Sequence, residues 1–193
     1  MLPLLYQDRH IEIVDKPVGL AVIPGRNGGE SIAGLTGRLI VHRLDTETSG
    51  CLVLARSVAG QRMISIAFEE RRVKKEYAVV VVGELPDAGT INLPIGRWHN
   101  GRVSTGSGKD AVTGYRVVWR RDGRCGVIAE PVTGRTHQIR AHLASLRAPI
   151  LGDVMYGAPA AERIFLHAHR ITLPWPKRED ALTVEAPMPD GFG

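Results

Sequence analysis

Apolar and polar residues change period several times along the chain, and each change predicts an element. From His10 to Pro17 they alternate with the two-residue period of a strand, and Lys16-Pro17 turns the chain out of it. Pro24-Gly25-Arg26-Asn27-Gly28-Gly29 has loop composition without the spacing or setting of a nucleotide-binding glycine loop, and reads as a surface loop. An apolar segment ending at Val41 gives way to the polar stretch His42 to Gly50, and the apolar run Cys51-Leu52-Val53-Leu54-Ala55 follows: strand, turn, strand. Ser57 is a suitable N-cap for a helix of about 14 residues, with Ala59, Met63, Ile66 and Ala67 on one face. Lys74-Lys75-Glu76-Tyr77 leads into Ala78-Val79-Val80-Val81-Val82, a β-branched run that predicts a strand buried on both faces.

Short strands are predicted at Thr90–Leu93, Ala111–Trp119 and Gly126–Glu130. Their spacing suggests a mixed or antiparallel sheet rather than βαβ units. After Pro131 the period lengthens. Ile139, Leu143 and Leu146 stand at i, i+4 and i+7, which predicts an amphipathic helix from Thr136 to about Arg147. Arg140 lies about 100° around from that stripe, on the flank where it can meet a cleft.

Composition narrows the class. A chain of 193 residues suits one sizeable domain, and 44% hydrophobic with 23% charged residues is ordinary for a globular protein. No apolar run approaches the roughly 20 residues of a membrane-spanning helix, and the N-terminus lacks the basic start of a signal peptide. Two cysteines, Cys51 and Cys125, suggest buried thiols in a reducing compartment, so a soluble cytoplasmic protein is expected. The net charge of +5 is uneven: residues 1–96 balance, whereas residues 97–147 hold 10 basic and 3 acidic side chains. A basic middle is what a polyanion-binding face needs. Arginine outnumbers lysine 20 to 5, a bias that genome composition alone would also produce.

Two further chemistries are disfavoured. The loop Gly106-Ser107-Gly108-Lys109-Asp110 has Val103 and Asp110 where a phosphate-binding loop needs Gly and Ser or Thr. The seven histidines do not form a tetrahedral set, since His137 and His142 fall on different helix faces and nothing completes His167 and His169.

The candidate chemistry sits in the turn His42-Arg43-Leu44-Asp45-Thr46-Glu47-Thr48-Ser49-Gly50, where a carboxylate stands between two apolar segments. By itself an Arg-x-Asp here is more often a structural ion pair tying the hairpin. The whole stretch, however, resembles the HRLDxxTSG signature of the RluA family of pseudouridine synthases. Gly134-Arg135-Thr136-His137-Gln138-Ile139-Arg140-Ala141-His142-Leu143 is similar to that family's GRTHQIRxHL block, and runs on into Pro149 to Asp153 and Tyr156-Gly157. Phe165-Leu166-His167-Ala168 resembles its late LLHA segment, and the likeness extends from about Leu5 to about Pro187.

The resemblance implies an α/β fold of the α+β type: a long, mixed, mostly antiparallel sheet flanked by helices, with a central active-site cleft holding Asp45. It implies a single catalytic domain over residues 1–193, without an N-terminal accessory RNA-binding domain. The implied reaction isomerises uridine in ribosomal or transfer RNA, by breaking the C1′–N1 bond, turning the uracil and joining C1′ to C5. It needs no cofactor and no metal. Asp45 is the implied catalytic carboxylate, attacking C1′ or acting as a base on the ribose; Arg140 is its implied partner. Tyr77, which the pattern alone makes a core or edge residue, matches the tyrosine that packs on the base. Arg43 is implied to fill the place the base vacates, and Leu166 to pack on the base. A monomer acting on an RNA stem-loop is expected, with no membrane partner. The rival is a non-catalytic basic RNA-binding or ribosome-associated module.

Overall fold

The computed structural model describes residues 2–25, 28–97, 99, 102–175 and 181–193. Of the loop predicted at 24–29, Arg26 and Asn27 lie outside the described residues. In chain order the strands are β1 (Leu4–Gln7), β2 (Ile11–Lys16), β3 (Leu39–Ile40), β4 (Ser49–Ala55), β5 (Lys74–Val82), β6 (Ala88–Asn92), β7 (Val112–Arg121), β8 (Arg124–Pro131), β9 (Leu166–Leu173) and β10 (Leu182–Glu185). The helices are α1 (Ile32–Thr36), α2 (Val58–Glu69) and α3 (Gln138–Ser145). The result is a mixed α+β chain with a large, mostly antiparallel sheet and few helices. It divides into two compact units, one of residues 1–74 and 168–187, the other of 75–167 and 188–193.

In the first unit the strand order is β1-β2-β4-β9, with β10 on the far side of β9 and β3 also on β4. The predicted strand after His10 is β2, and the run after the polar turn is β4, whose seven residues are all buried. They pair antiparallel with Ile13 opposite Val53 and Lys16 opposite Gly50. Ile11, Ile13, Cys51, Val53, Ile64 and Leu173 are in the core of this unit. Helix α2 starts as expected, with Ser57 Oγ accepting the Gly60 N–H at 3.0 Å. Its buried face differs from the predicted one: Gly60, Ile64 and Ala67 are buried, while Ile66 is exposed. Gly60 has no side chain, and a Cβ there would stand 2.3 Å from the His10 carbonyl oxygen. The close approach, rather than the apolar count, decides which way the helix faces.

In the second unit the order is β5-β8-β7-β6. Asp122 and Gly123, with φ of 51° and 68°, turn β7 into β8, as a two-residue turn with positive φ at both positions should. Ala78, Val79, Val80 and Val81 of β5 are buried, as predicted, and pack with Ile139 and Leu143 of α3. The expected helix from Thr136 is shortened at its start. His137 has φ 51°, a left-handed conformation that a helix cannot contain, so α3 begins at Gln138.

Candidate active site

In the first unit, Asp45 lies at the head of a turn that its own carbonyl closes by accepting the Thr48 N–H at 3.0 Å. The Asp45 residue is half-buried, Arg43 is exposed, and Thr48 and Ser49 are buried. Lys16 holds the turn in place. Its ammonium is 0% exposed and donates to the carbonyls of Pro17 and Leu20, both at 2.8 Å, and of Thr46 at 3.0 Å. The Gly19 N–H also donates to Thr46, at 2.9 Å. One buried cation thus joins the loop after β2 to the residue beside Asp45, using hydrogen bonds that charge makes stronger than neutral ones. His42 fixes the other side. Its Nε2 accepts the Val53 N–H at 2.9 Å, and its ring stacks on Phe68 at 4.7 Å. Accepting at Nε2 requires the neutral form with the proton on Nδ1.

The turn needs Gly50. Its φ is +106°, and a Cβ there would stand 2.4 Å from the Ala168 carbonyl oxygen. Below it the Cys51 thiol is pushed up to about 12 by burial. It stays protonated and donates towards the carbonyls of His169 and Val184 at 3.6 and 3.7 Å. Cys51 is structural.

In the second unit, Tyr77 on β5 is half-buried opposite Ala129 of β8. Leu166 is 3% exposed and is part of the hydrophobic core. Arg140, predicted on the flank of its helix, is 4% exposed. Its Nε and Nη2 donate to the two carboxylate oxygens of Asp153 at 2.6 and 2.8 Å, a two-pronged buried ion pair. The loop before α3 is held by Gln138. Its Oε1 accepts from the Thr133 hydroxyl at 2.7 Å and the Arg135 N–H at 3.0 Å, and its Nε2 donates to the Val112 carbonyl and Thr113 Oγ1, both at 3.0 Å. Thr113 Oγ1 meets His142 Nδ1 at 2.9 Å, and His142 Nε2 meets the Leu93 carbonyl at 2.9 Å. Only Nε2–H can serve a carbonyl, so Nδ1 accepts from Thr113. Burial pushes the His142 pKa down, which matches this neutral form.

Sequence reading assigned no individual role to Lys16, His42, Gln138 and Asp153. A lysine before a proline and a glutamine opening a helix both pass for surface residues. Their partners are backbone carbonyls and side chains up to 30 positions away.

Two residues before Tyr77 on β5, Lys75 is pushed down to about 8 by burial and donates to the Thr133 carbonyl at 3.3 Å. The unfolded chain would carry that proton up to an ordinary pKa of 10.5. Between those values the unfolded state binds more protons, so folding stability rises with pH from about 8. Cys51 acts in the opposite sense above its ordinary value of 9, because the folded thiol keeps its proton to about 12. Stability should therefore increase between about pH 8 and 9 in the wild type, and this increment should be missing in Lys75→Met. Urea unfolding at pH 7.5, 8.5 and 9 checks it; an equal increment in both proteins would show that Lys75 is not the group responsible.

Among the described residues, no three His, Cys, Asp or Glu side chains cluster as metal ligands, and no helix is long and apolar enough to cross a membrane.

Comparison with known proteins shows the family. A family model described as RNA pseudouridylate synthase matches residues 10–145, which include the Asp45 turn, Tyr77 and Arg140. The chain is 39% identical to the dual-specificity RNA pseudouridine synthase RluA of Escherichia coli K12, over 96% of this chain and 93% of that protein. It is 33% identical to the ribosomal large subunit pseudouridine synthase D of Xanthomonas campestris, over 98% of this chain and 66% of that protein. Among solved structures, human RNA pseudouridylate synthase domain containing 4 superposes with a TM-score of 0.82 at 27% identity, covering 98% of this chain and 90% of that one. The chain belongs to the RNA pseudouridine synthase family and is an isomerase that forms pseudouridine in RNA.

Proposed function

We propose that Asp45 is the carboxylate that carries the isomerisation, and that Tyr77, Arg140, Arg43 and Leu166 serve it over one catalytic domain of residues 1–193. The observation that supports Asp45 is its setting. A half-buried carboxylate stands on a turn fixed by the Lys16 ammonium, the Thr48 N–H and the shape that only Gly50 allows. Such preorganisation suits a group that must meet a reacting carbon in one direction. The target uridine leaves its stack to reach it. Its C1′–N1 bond breaks, the uracil turns, C1′ bonds to C5, and the C5 hydrogen leaves as a proton while N1 gains one. Asp45 either bonds C1′ or takes a ribose proton to allow this.

The resemblance to the family supports the other roles. Tyr77 forms the floor under the base, Arg140 pairs with Asp45 to hold its direction, and Arg43 fills the vacated place in the RNA. Arg43 is exposed, as that role requires. Leu166 packs on the base with the small edge that 3% exposure leaves.

The RNA is a stem-loop of ribosomal or transfer RNA, the protein acts as a monomer, and it works in the cytoplasm. Relatives named for dual specificity and for the large ribosomal subunit support that substrate class. Mapping pseudouridine by sequencing in cellular RNA, with and without this protein, tests the substrate: sites in neither rRNA nor tRNA would contradict it.

The basic stretch supplies the RNA-binding face in this proposal. Arg97, Arg102, Lys109, Arg116, Arg120 and Arg121 are all exposed. Arg120 is already bonded to Asp87 at 2.7 Å, and Arg121 lies 5.4 Å over the Trp119 ring, so Arg102 is the better phosphate contact. Log affinity should fall steeply with log salt, and Arg102→Gln should flatten that slope by about 0.7 to 0.9. A titration of RNA binding across salt concentrations gives the slope; an unchanged slope would remove Arg102 from the interface.

A further inference from the structure

Burying a guanidinium demands a partner of opposite charge, and the fork of Arg140 is filled by one. Asp153, itself 0% exposed, takes Nε and Nη2 at 2.6 and 2.8 Å. Nη2 also meets Met155 Sδ at 3.7 Å, and Nη1 meets His137 Nε2 at 2.9 Å. Arginine only donates, so His137 Nε2 accepts and its proton sits on Nδ1, directed at Tyr156 Oη at 3.2 Å. The Tyr156 ring lies 5.2 Å from the guanidinium carbon, and its hydroxyl accepts the Val103 N–H at 3.0 Å. Four of the five guanidinium N–H groups therefore face Asp153, Met155 and His137.

Asp153 is rigid in turn. Its carbonyl accepts from Tyr156 and Ala158 N–H groups at 3.0 and 3.1 Å, and its own N–H donates to Ile150 at 2.9 Å. Gly152 before it has φ +85°, with a Cβ position 1.9 Å from the Arg163 carbonyl oxygen, so no other residue fits. The turn places one carboxylate where it receives both prongs of Arg140.

We propose that Asp153 is a positioning residue for the isomerisation: it seats the Arg140 guanidinium and fixes the direction in which its remaining N–H points. This rests on the reading of Arg140 as the partner of Asp45. Asp153 touches neither substrate nor reacting atoms. Its effect passes through Arg140 alone.

The test uses chemical rescue, because stability and positioning then move in opposite directions. Arg140→Ala leaves the Asp153 carboxylate buried without its arginine; adding Asp153→Asn removes that charge and should raise the melting temperature. In single turnover on one RNA substrate, Arg140→Ala should be slow. Ethylguanidinium at concentrations far below those that unfold proteins should recover about tenfold by occupying the seat. The same addition should recover nothing in the more stable Arg140→Ala/Asp153→Asn protein. Asp153→Asn alone should slow the chemical step about 100-fold, as misplacement of a positioned group by about 1 Å does, with RNA affinity unchanged within a few-fold. Should Asp153→Asn fail to fold, the rescue comparison decides by itself. Equal rescue in the two backgrounds, or a wild-type rate for Asp153→Asn while Arg140→Ala stays slow, overturns the proposal and leaves Arg140's role standing. A wild-type rate for Arg140→Ala overturns both.

Discussion

Asp45→Asn is expected to abolish pseudouridine formation while leaving RNA binding intact. The amide has the size and shape of the carboxylate, and the Thr48 N–H and the Lys16 ammonium hold the backbone of the turn that carries it. Folding should therefore survive. An amide neither bonds C1′ nor accepts a proton as a carboxylate does, so the chemical step has no substitute. Removing a negative charge from a surface that meets phosphates should, if anything, tighten binding. The two readouts should thus part: single-turnover rate falls below detection, and the dissociation constant stays level or decreases. A variant that converts uridine near the wild-type rate would show that Asp45 is not the catalytic group. One that loses rate and affinity together would show that its role is to bind.

Gly50→Ala should have the largest effect on stability. The residue combines a φ of +106° with a Cβ position 2.4 Å from the Ala168 carbonyl oxygen, and both belong to rigid strands. A side chain is disfavoured there by the backbone angle, and the neighbouring strand must move to admit it. A cost of about 3–5 kcal/mol places it among the severe single substitutions, and for a chain of this size lowers Tm by about 10 °C. Gly19→Ala is the control, since Gly19 has φ +79° with no atom within 4 Å of the Cβ position. It carries the conformational cost alone, roughly 1–2 kcal/mol. Calorimetry on both variants separates clash from backbone angle. Equal melting temperatures would mean that β9 yields to the added methyl group.

What the sequence made legible follows from what each residue contacts. Strands β4 and β5 were readable because every residue from Cys51 to Ala55 and from Ala78 to Val81 is buried, so hydrophobicity and position agree. Ser57 as an N-cap was readable because capping is local. The face of α2 was not, because Gly60 is selected by a carbonyl from another element and carries no hydrophobic signal. The left-handed His137 was equally hidden, since Gln138 bridges Thr133, Arg135 and β7 to stabilise that turn.

The same logic divides the site. The Asp45 turn announced itself as a contiguous motif, and its polar residues do form a turn between β3 and β4. The lysine that steadies it did not, because Lys16 is 30 residues from Thr46 and looks like the solvated end of a strand. Arg140 was legible as part of a block, yet its burial was not: a helical arginine is ordinarily solvated, and a two-pronged pair with Asp153, 13 residues on, compensates the buried charge of this one. Contacts between distant charged groups leave no periodic trace.

The reaction itself offers the most direct measurement. Joining C1′ to C5 displaces the C5 hydrogen, so RNA made with 5-tritiated uridine loses tritium to solvent for each uridine converted. With purified wild-type protein and a stem-loop substrate, tritium release should rise to a plateau set by the number of target uridines. Asp45→Asn should bind the same RNA and release none. Wild-type protein that binds the RNA and releases no tritium, on any ribosomal or transfer RNA tested, would contradict the account.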